Sequence, residues 1–127
     1  MRKGFQNFTV ASLLGLYFAC SPLVAKETAA PVASVSIASL PTPVSKTYQL
    51  VLQGGPFPFE KDGTVFFNRE RLLPIKQRGY YREYTVIMNG NFSNRGTHRL
   101  VCGGPATRPD GCYYTKDHYA SFKRIEP

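Results

Sequence analysis

Apolar residues change their spacing along this chain, and each change marks a different kind of segment. An apolar run at residues 10–19 comes first, with Arg2 and Lys3 ahead of it and the small residues Ala19, Ala25 and Ala29 at its end and beyond. Residues 26–34 follow without any period. From Leu40 the spacing turns helical: Val44, Tyr48, Val51 and Leu52 recur at three- and four-residue intervals, and Pro41 or Pro43 fits a first turn, where the missing N–H does no harm. Gly54-Gly55-Pro56 should stop that helix. Turn residues dominate next, in Gly55-Pro56-Phe57-Pro58-Phe59, in Asp62-Gly63 and in a polar loop from Asn68 to Pro74. Aromatic and β-branched residues then collect at 80–88, 99–103, 112–115 and 119–125, between clusters of Gly, Asn and Asp, which predicts three or four antiparallel strands. The fold class that follows is α+β, with one short N-terminal helix packed on one face of a small antiparallel sheet. The other face stays open for a substrate.

The 127 residues suffice for one compact domain and some extra sequence. The first apolar run is shorter than the roughly 20 residues that a membrane-spanning helix needs. With its basic start, segment 1–25 reads as a secretory signal peptide, which predicts an extracellular or periplasmic protein. Leu23-Val24-Ala25 offers one cleavage site. Tyr17-Phe18-Ala19-Cys20 is a weak match to a lipoprotein signal, in which Cys20 would carry a lipid, although the aromatic Tyr17 speaks against it. Residues 26–34 are expected to be a linker with no packing role, and residues 35–127 the domain.

Charge narrows the partners. The chain carries a net charge of +8, and removal of residues 1–25 takes away only Arg2 and Lys3, leaving +6. That balance favours a polyanion through counterion release and steering, but many exported basic proteins bind none. Cys102 and Cys112 remain after cleavage, and an oxidising compartment permits them to pair. Gly103, Gly104, Pro105, Pro109 and Gly111 lie between them in a turn-rich loop, so a disulfide is expected. A metal site has little to draw on, since His98 and His118 are the only histidines and no second cysteine pair exists. Thiol redox chemistry fails on the spacing. No metal or other cofactor is therefore expected.

Five ordered blocks carry a resemblance: Gly55-Pro56-Phe57-Pro58, Phe67-Asn68-Arg69-Glu70, Tyr80-Tyr81-Arg82-Glu83-Tyr84-Thr85-Val86, Arg95-Gly96-Thr97-His98-Arg99 and Tyr114-Thr115-Lys116-Asp117-His118-Tyr119. Together they resemble the microbial guanyl-specific ribonucleases of the barnase-like family, over residues 40–125. One departure is the cysteine pair, because relatives with a disulfide often staple the chain ends, whereas here the cysteines flank a hairpin. The resemblance implies a monomer that cleaves single-stranded RNA 3′ of guanosine without a metal, by transphosphorylation through a 2′,3′-cyclic phosphate and then hydrolysis.

That reaction needs a base for the 2′-hydroxyl proton, cations for the charge on phosphorus and an acid for the leaving 5′-oxygen. Glu83 lies in an apolar and aromatic strand, where a carboxylate is costly unless paired or used, and the resemblance makes it the base. It makes His118 the acid, a role suited to a group that titrates near neutrality. Arg95 and Arg99, whose guanidinium forks match phosphate oxygens, would grip the scissile phosphate. Glu70 would accept from guanine N1–H and the exocyclic amine, a donor pair that adenine lacks. Backbone amides near Asn68 and Arg69 would hold the guanine oxygen and N7, and Phe66 and Tyr119 would stack on the base. His98 is read as a spectator.

A non-catalytic basic RNA-binding protein would explain the charge and the aromatics equally well. It would not explain Glu83, since a carboxylate beside two arginines repels the phosphates such a protein must bind. The same nuclease could also serve as an antibacterial toxin, held in check in its producer by an acidic, barstar-like inhibitor, or in nutrient scavenging.

Overall fold

Pro43 in the first turn and Gly54 just past the last bracket helix α1, Thr42–Gln53. The computed structural model describes Gly4, residues 15–17 and residues 31–127. The rest of segment 1–25, with Cys20, and residues 26–30 of the expected linker lie outside the described residues. Gly54 adopts the left-handed conformation with φ 80°, and its N–H reaches the carbonyls of Leu50 and Val51. Glycine enters that region without the penalty that a Cβ brings. Val44, Thr47 and Val51 form the buried stripe of the helix, while Tyr48 is half-buried and Leu52 exposed. Thr47 can sit inside because its hydroxyl donates to the Pro43 carbonyl at 3.0 Å.

Strands β1 (Ser34–Ser36), β2 (Val65–Phe66), β3 (Tyr81–Thr85), β4 (Arg99–Gly103), β5 (Gly111–Thr115) and β6 (Lys123–Glu126) make one sheet among the described residues, in the order β1-β6-β5-β4-β3-β2. All neighbours are antiparallel except β1, which runs parallel to β6. β4 and β5 stand close to where the pattern placed them. β3 ends at Thr85, short of the expected 88, and the strand expected at 119–125 pairs only from Lys123. Asp117 is the reason for the second change. Its carboxylate accepts from the Thr115 hydroxyl and from the N–H and hydroxyl of Ser121, which holds the chain in a turn.

Two short strands were not expected. β2 arises within the stretch read as loop, and β1 begins inside the expected linker. Ala33 accepts from the Arg124 N–H at 2.8 Å, Ser34 pairs with Arg124, and Val32 packs against buried Tyr and Val side chains. The packed domain therefore starts earlier than residue 35, because the edge of β6 needs a partner for its backbone groups.

Side chains alternate across the strands and so sort into two faces. Tyr84, Val86, Leu100, Cys102, Cys112, Tyr114 and Ile125 pack with Val44 and Val51 of the helix in the main core. On the opposite face, Leu73, Tyr81, Val101 and Tyr113 form a smaller cluster, and Glu83, Thr85 and Arg99 belong to this face by alternation. Gly103, at the end of β4, leaves room for the Tyr80 and Tyr81 rings, which a Cβ there would strike. Cys102 and Cys112 stand opposite each other in register and form the expected disulfide, with Cα atoms 4.1 Å apart. Because it closes a loop of about ten residues, Cys102→Ala with Cys112→Ala should cost about 2 to 3 kcal/mol of stability. Urea denaturation reads this as a lower midpoint, and an unchanged midpoint would mean that packing alone holds the hairpin.

Candidate active site

Glu83 sits mid-strand on the open face, its backbone held by the segment that leads into β2. Its N–H donates to the Thr64 carbonyl at 2.9 Å, and its carbonyl accepts from the Gly63 N–H at 2.8 Å. The side chain is only 15% exposed, and two donors meet it there: Arg95 Nη2 lies 3.3 Å from Oε1, and the Tyr119 hydroxyl donates to Oε2 at 2.7 Å. Arg95 is aimed by Thr85, two residues along the same face, whose Oγ1 accepts from Arg95 Nε at 3.1 Å. The Tyr119 phenol is pushed up to about 12, first by burial and then by its bond to the Glu83 carboxylate. It therefore stays a neutral donor at physiological pH.

Arg99 is 2% exposed. Its Nη1 donates to the carbonyls of Arg95 and His98, at 3.0 and 2.8 Å, so it pins the 95–98 turn from below. Arg99 Nε is buried with no acceptor among the described residues, and a buried charged N–H left this way is costly.

His118 and Tyr119 both have positive φ, 53° and 72°, a region that non-glycine residues avoid unless their surroundings compel it. The compulsion comes from neighbouring hydrogen bonds. Thr115 Oγ1 donates to Asp117 and accepts from the Tyr119 N–H at 3.1 Å, while the His118 N–H donates to the Thr97 carbonyl at 3.1 Å. The His118 ring is exposed and lies edge-on to Tyr119 at 4.9 Å. The spectator His98 points elsewhere, to the Tyr114 hydroxyl at 2.6 Å, and burial lowers its pKa.

Residues 66–73 form the loop beside this cluster. Asn68 closes it: its side-chain amide donates to the Leu73 carbonyl at 2.9 Å, and its Oδ1 accepts from the Leu73 N–H at 3.1 Å. Leu73 itself is fully buried, which roots the loop in the sheet. Phe66 and Tyr119 stack on each other, centroids 5.1 Å apart, and form one joined wall of the cleft. Phe66, Asn68, Arg69 and Glu70 line one cleft of about 330 Å³ together with Glu83, His118 and Tyr119. Glu70 is exposed at its edge.

The expected site residues thus converge. Glu83, Arg95, Arg99 and Tyr119 are linked by direct contacts, and His118 joins them across the shared cleft. Sequence reasoning missed three supports. Thr85 as the seat of Arg95 was within reach, since it lies on the face of Glu83 by alternation. The Asp117 network is local, with Thr115 two residues before and Ser121 four after as its signal, whereas the Tyr119 hydroxyl on Glu83 had no local signal, because it joins residues 36 apart.

The open sheet face thus carries a carboxylate held by Arg95 and Tyr119, with an imidazole in the same cleft, the arrangement expected of a microbial ribonuclease. The family model described as ribonuclease matches residues 24–126. Guanyl-specific ribonuclease Sa of Kitasatospora aureofaciens is 47% identical over 93 residues, which is 73% of this chain and 93% of that protein. Guanyl-specific ribonuclease Sa3 of the same organism is 46% identical over 95 residues, 75% of this chain but 64% of that longer protein. The crystal structure of ribonuclease Sa2 with guanosine-2'-cyclophosphate matches with a TM-score of 0.68 at 42% identity, covering 76% of this chain and 98% of that one. The chain belongs to the microbial guanyl-specific ribonuclease family.

Asp117 carries a pH signature. Hydrogen bonds from Ser121 and Thr115 lower its pKa from the ordinary 3.8 to about 2. A depressed carboxylate adds stability above its unfolded value and loses it as the pH falls towards the folded one. Melting temperature should therefore drop between about pH 4 and pH 2, and Asp117→Asn should flatten that drop. An identical profile in the variant would remove Asp117 from the acid response.

Proposed function

We infer that this chain is an endoribonuclease that prefers guanine and cuts RNA 3′ of guanosine. The observation that carries this reading is the Glu83 carboxylate, buried between Arg95 and Tyr119 in the same cleft as His118 and the 66–70 loop. The guanine preference rests further on relatives of this identity that are named guanyl-specific ribonucleases.

The geometry supports the following roles. Each carboxylate oxygen can accept more than one hydrogen bond, so Glu83 keeps acceptor sites for a ribose 2′-hydroxyl while Arg95 and Tyr119 fix its orientation. It takes the 2′ proton as the oxygen attacks phosphorus. Arg95, supported from beneath by Arg99, meets the charge that grows on the phosphoryl oxygens. His118, exposed at the cleft mouth, protonates the departing 5′-oxygen. The cyclic phosphate is then opened by water with the two roles exchanged. The guanidinium groups provide the positive charge at phosphorus, so the reaction needs no metal. Glu70 accepts from the guanine edge, and the Phe66–Tyr119 wall supports the ring.

We also propose that single-stranded RNA is the substrate, that the protein acts as a monomer, and that it is exported. The basic start and apolar run of segment 1–25 support export, and the disulfide agrees with it, since such bonds persist in oxidising compartments. An acidic inhibitor that covers the cleft fits the net charge. A purely binding role fits poorly, since Glu83 would repel the phosphate that Arg95 and Arg99 attract.

Cleavage of a guanine-containing oligonucleotide in the presence of a chelator tests this reading. Glu83→Gln and His118→Ala should each slow cleavage by about 10² to 10⁴ while RNA binding persists. Undiminished rates in both variants, or activity only with added metal, would overturn the mechanism. Separately, Glu70→Gln should reduce the preference for guanosine over adenosine by roughly 10- to 100-fold, the worth of charge-assisted hydrogen bonds to the base. Equal cutting after all four bases by the unaltered enzyme would remove Glu70 from recognition.

A further inference from the structure

The basic surface does not end at the cleft. Segment 66–69 also lines a second depression of about 430 Å³, whose other wall is Lys76, Arg78 and Tyr81. Lys76 and Tyr81 in turn border a third, of about 380 Å³, that reaches Tyr80, Tyr113 and Arg124. Shared residues make these a continuous track that leads away from Glu83 and His118.

Its chemistry is consistent along its length. Phe67 is 48% exposed, which is unfavourable for a bare ring, and two guanidinium groups lie over it: Arg69 at 5.4 Å and Arg78 at 5.1 Å from the ring centroid. Lys76 Nζ stands 5.3 Å from the Tyr80 ring, and Arg124 6.0 Å from that of Tyr113. Arg69, Lys76, Arg78 and Arg124 are all exposed. An arginine stacked on a ring keeps its N–H edge free for an oxygen anion and offers its outer face to a base. No carboxylate lines the second depression, and the one in the third, Asp110, accepts from the Tyr80 hydroxyl at 2.9 Å. Rings alternating with cations beside a strand-cleaving site are the features that hold a single-stranded polynucleotide without reading its sequence.

We propose that this track is an RNA subsite, in which Phe67, Lys76 and Arg78 take the phosphates and a base of a nucleotide flanking the cleaved guanosine. The proposal rests on the nuclease reading above, but it is tested by binding alone. An oligonucleotide with 2′-deoxyguanosine at the cleavage point cannot be cut, because the attacking hydroxyl is missing. Hexamers extended on the 5′ side or on the 3′ side of that guanosine, and the corresponding dinucleotide, are titrated by fluorescence anisotropy against the unaltered chain and against Lys76→Gln with Arg78→Gln. Neither residue belongs to the catalytic cleft.

At least one hexamer should bind the unaltered chain about tenfold more tightly than the dinucleotide, as one more stacked base and its phosphates imply. The double variant should lose most of that gain, keep its dinucleotide affinity, and show a salt dependence shallower by about 1.4 in log–log slope, the counterion release of two lost phosphate contacts. The arm that shows the gain identifies which side of the guanosine occupies the track. Equal affinity for hexamers and dinucleotide, or a gain that survives in the variant, would overturn the subsite. Cleavage of the all-ribose dinucleotide by both proteins is the separate control: its failure in the unaltered chain would count against the nuclease reading, and its retention in the variant shows an intact cleft.

Discussion

A carboxylate that is only 15% exposed must be met by donors, and the bonds that meet Glu83 organise everything around it. Arg95 arrives from the turn before β4, Tyr119 from the turn after β5, and Glu83 itself from the middle of β3. The three can touch only if the sheet register is right and both turns hold their shape. A burial cost of this kind is expensive when half satisfied, so the carboxylate and the loops depend on each other.

Much of the remaining structure serves that requirement. Arg99 ties down the backbone of the 95–98 turn, and Thr85 steers the Arg95 guanidinium. Thr115 and Asp117 hold His118 and Tyr119 in left-handed conformations that they would otherwise avoid. The helix is absent from the site. Its task is to cover the other face of the sheet with Val44 and Val51, so that the strands stay flat and paired beneath the catalytic face. The 66–73 loop is built separately, closed by Asn68 and rooted through Leu73. The arginine- and tyrosine-rich track beyond Phe67 extends the same basic face towards a longer strand.

Local chemistry made a good part of this legible. Helical spacing and its glycine stop located α1, β-branched and aromatic clusters located β4 and β5, and the misfit of Glu83 in its strand marked it before any contact was known. Where composition misled, a hydrogen bond that the apolar pattern does not register was responsible. Residues 119–122 look like strand but follow the Asp117 turn, and Ser34 looks like linker but pairs with Arg124 because an edge backbone was open. Tyr119 was read as a stacking ring, and its hydroxyl turned out to be committed to Glu83.

By itself the sequence determined which residues could carry the chemistry, since side-chain type, alternation and turn signals act over a few positions. The tertiary structure alone decided which of them meet. Arg95 on Glu83, Tyr119 on Glu83, and the shared cleft with His118 join segments up to 36 residues apart, and their closeness depends on strand register and turn geometry summed over the whole sheet. No local spacing encodes that sum.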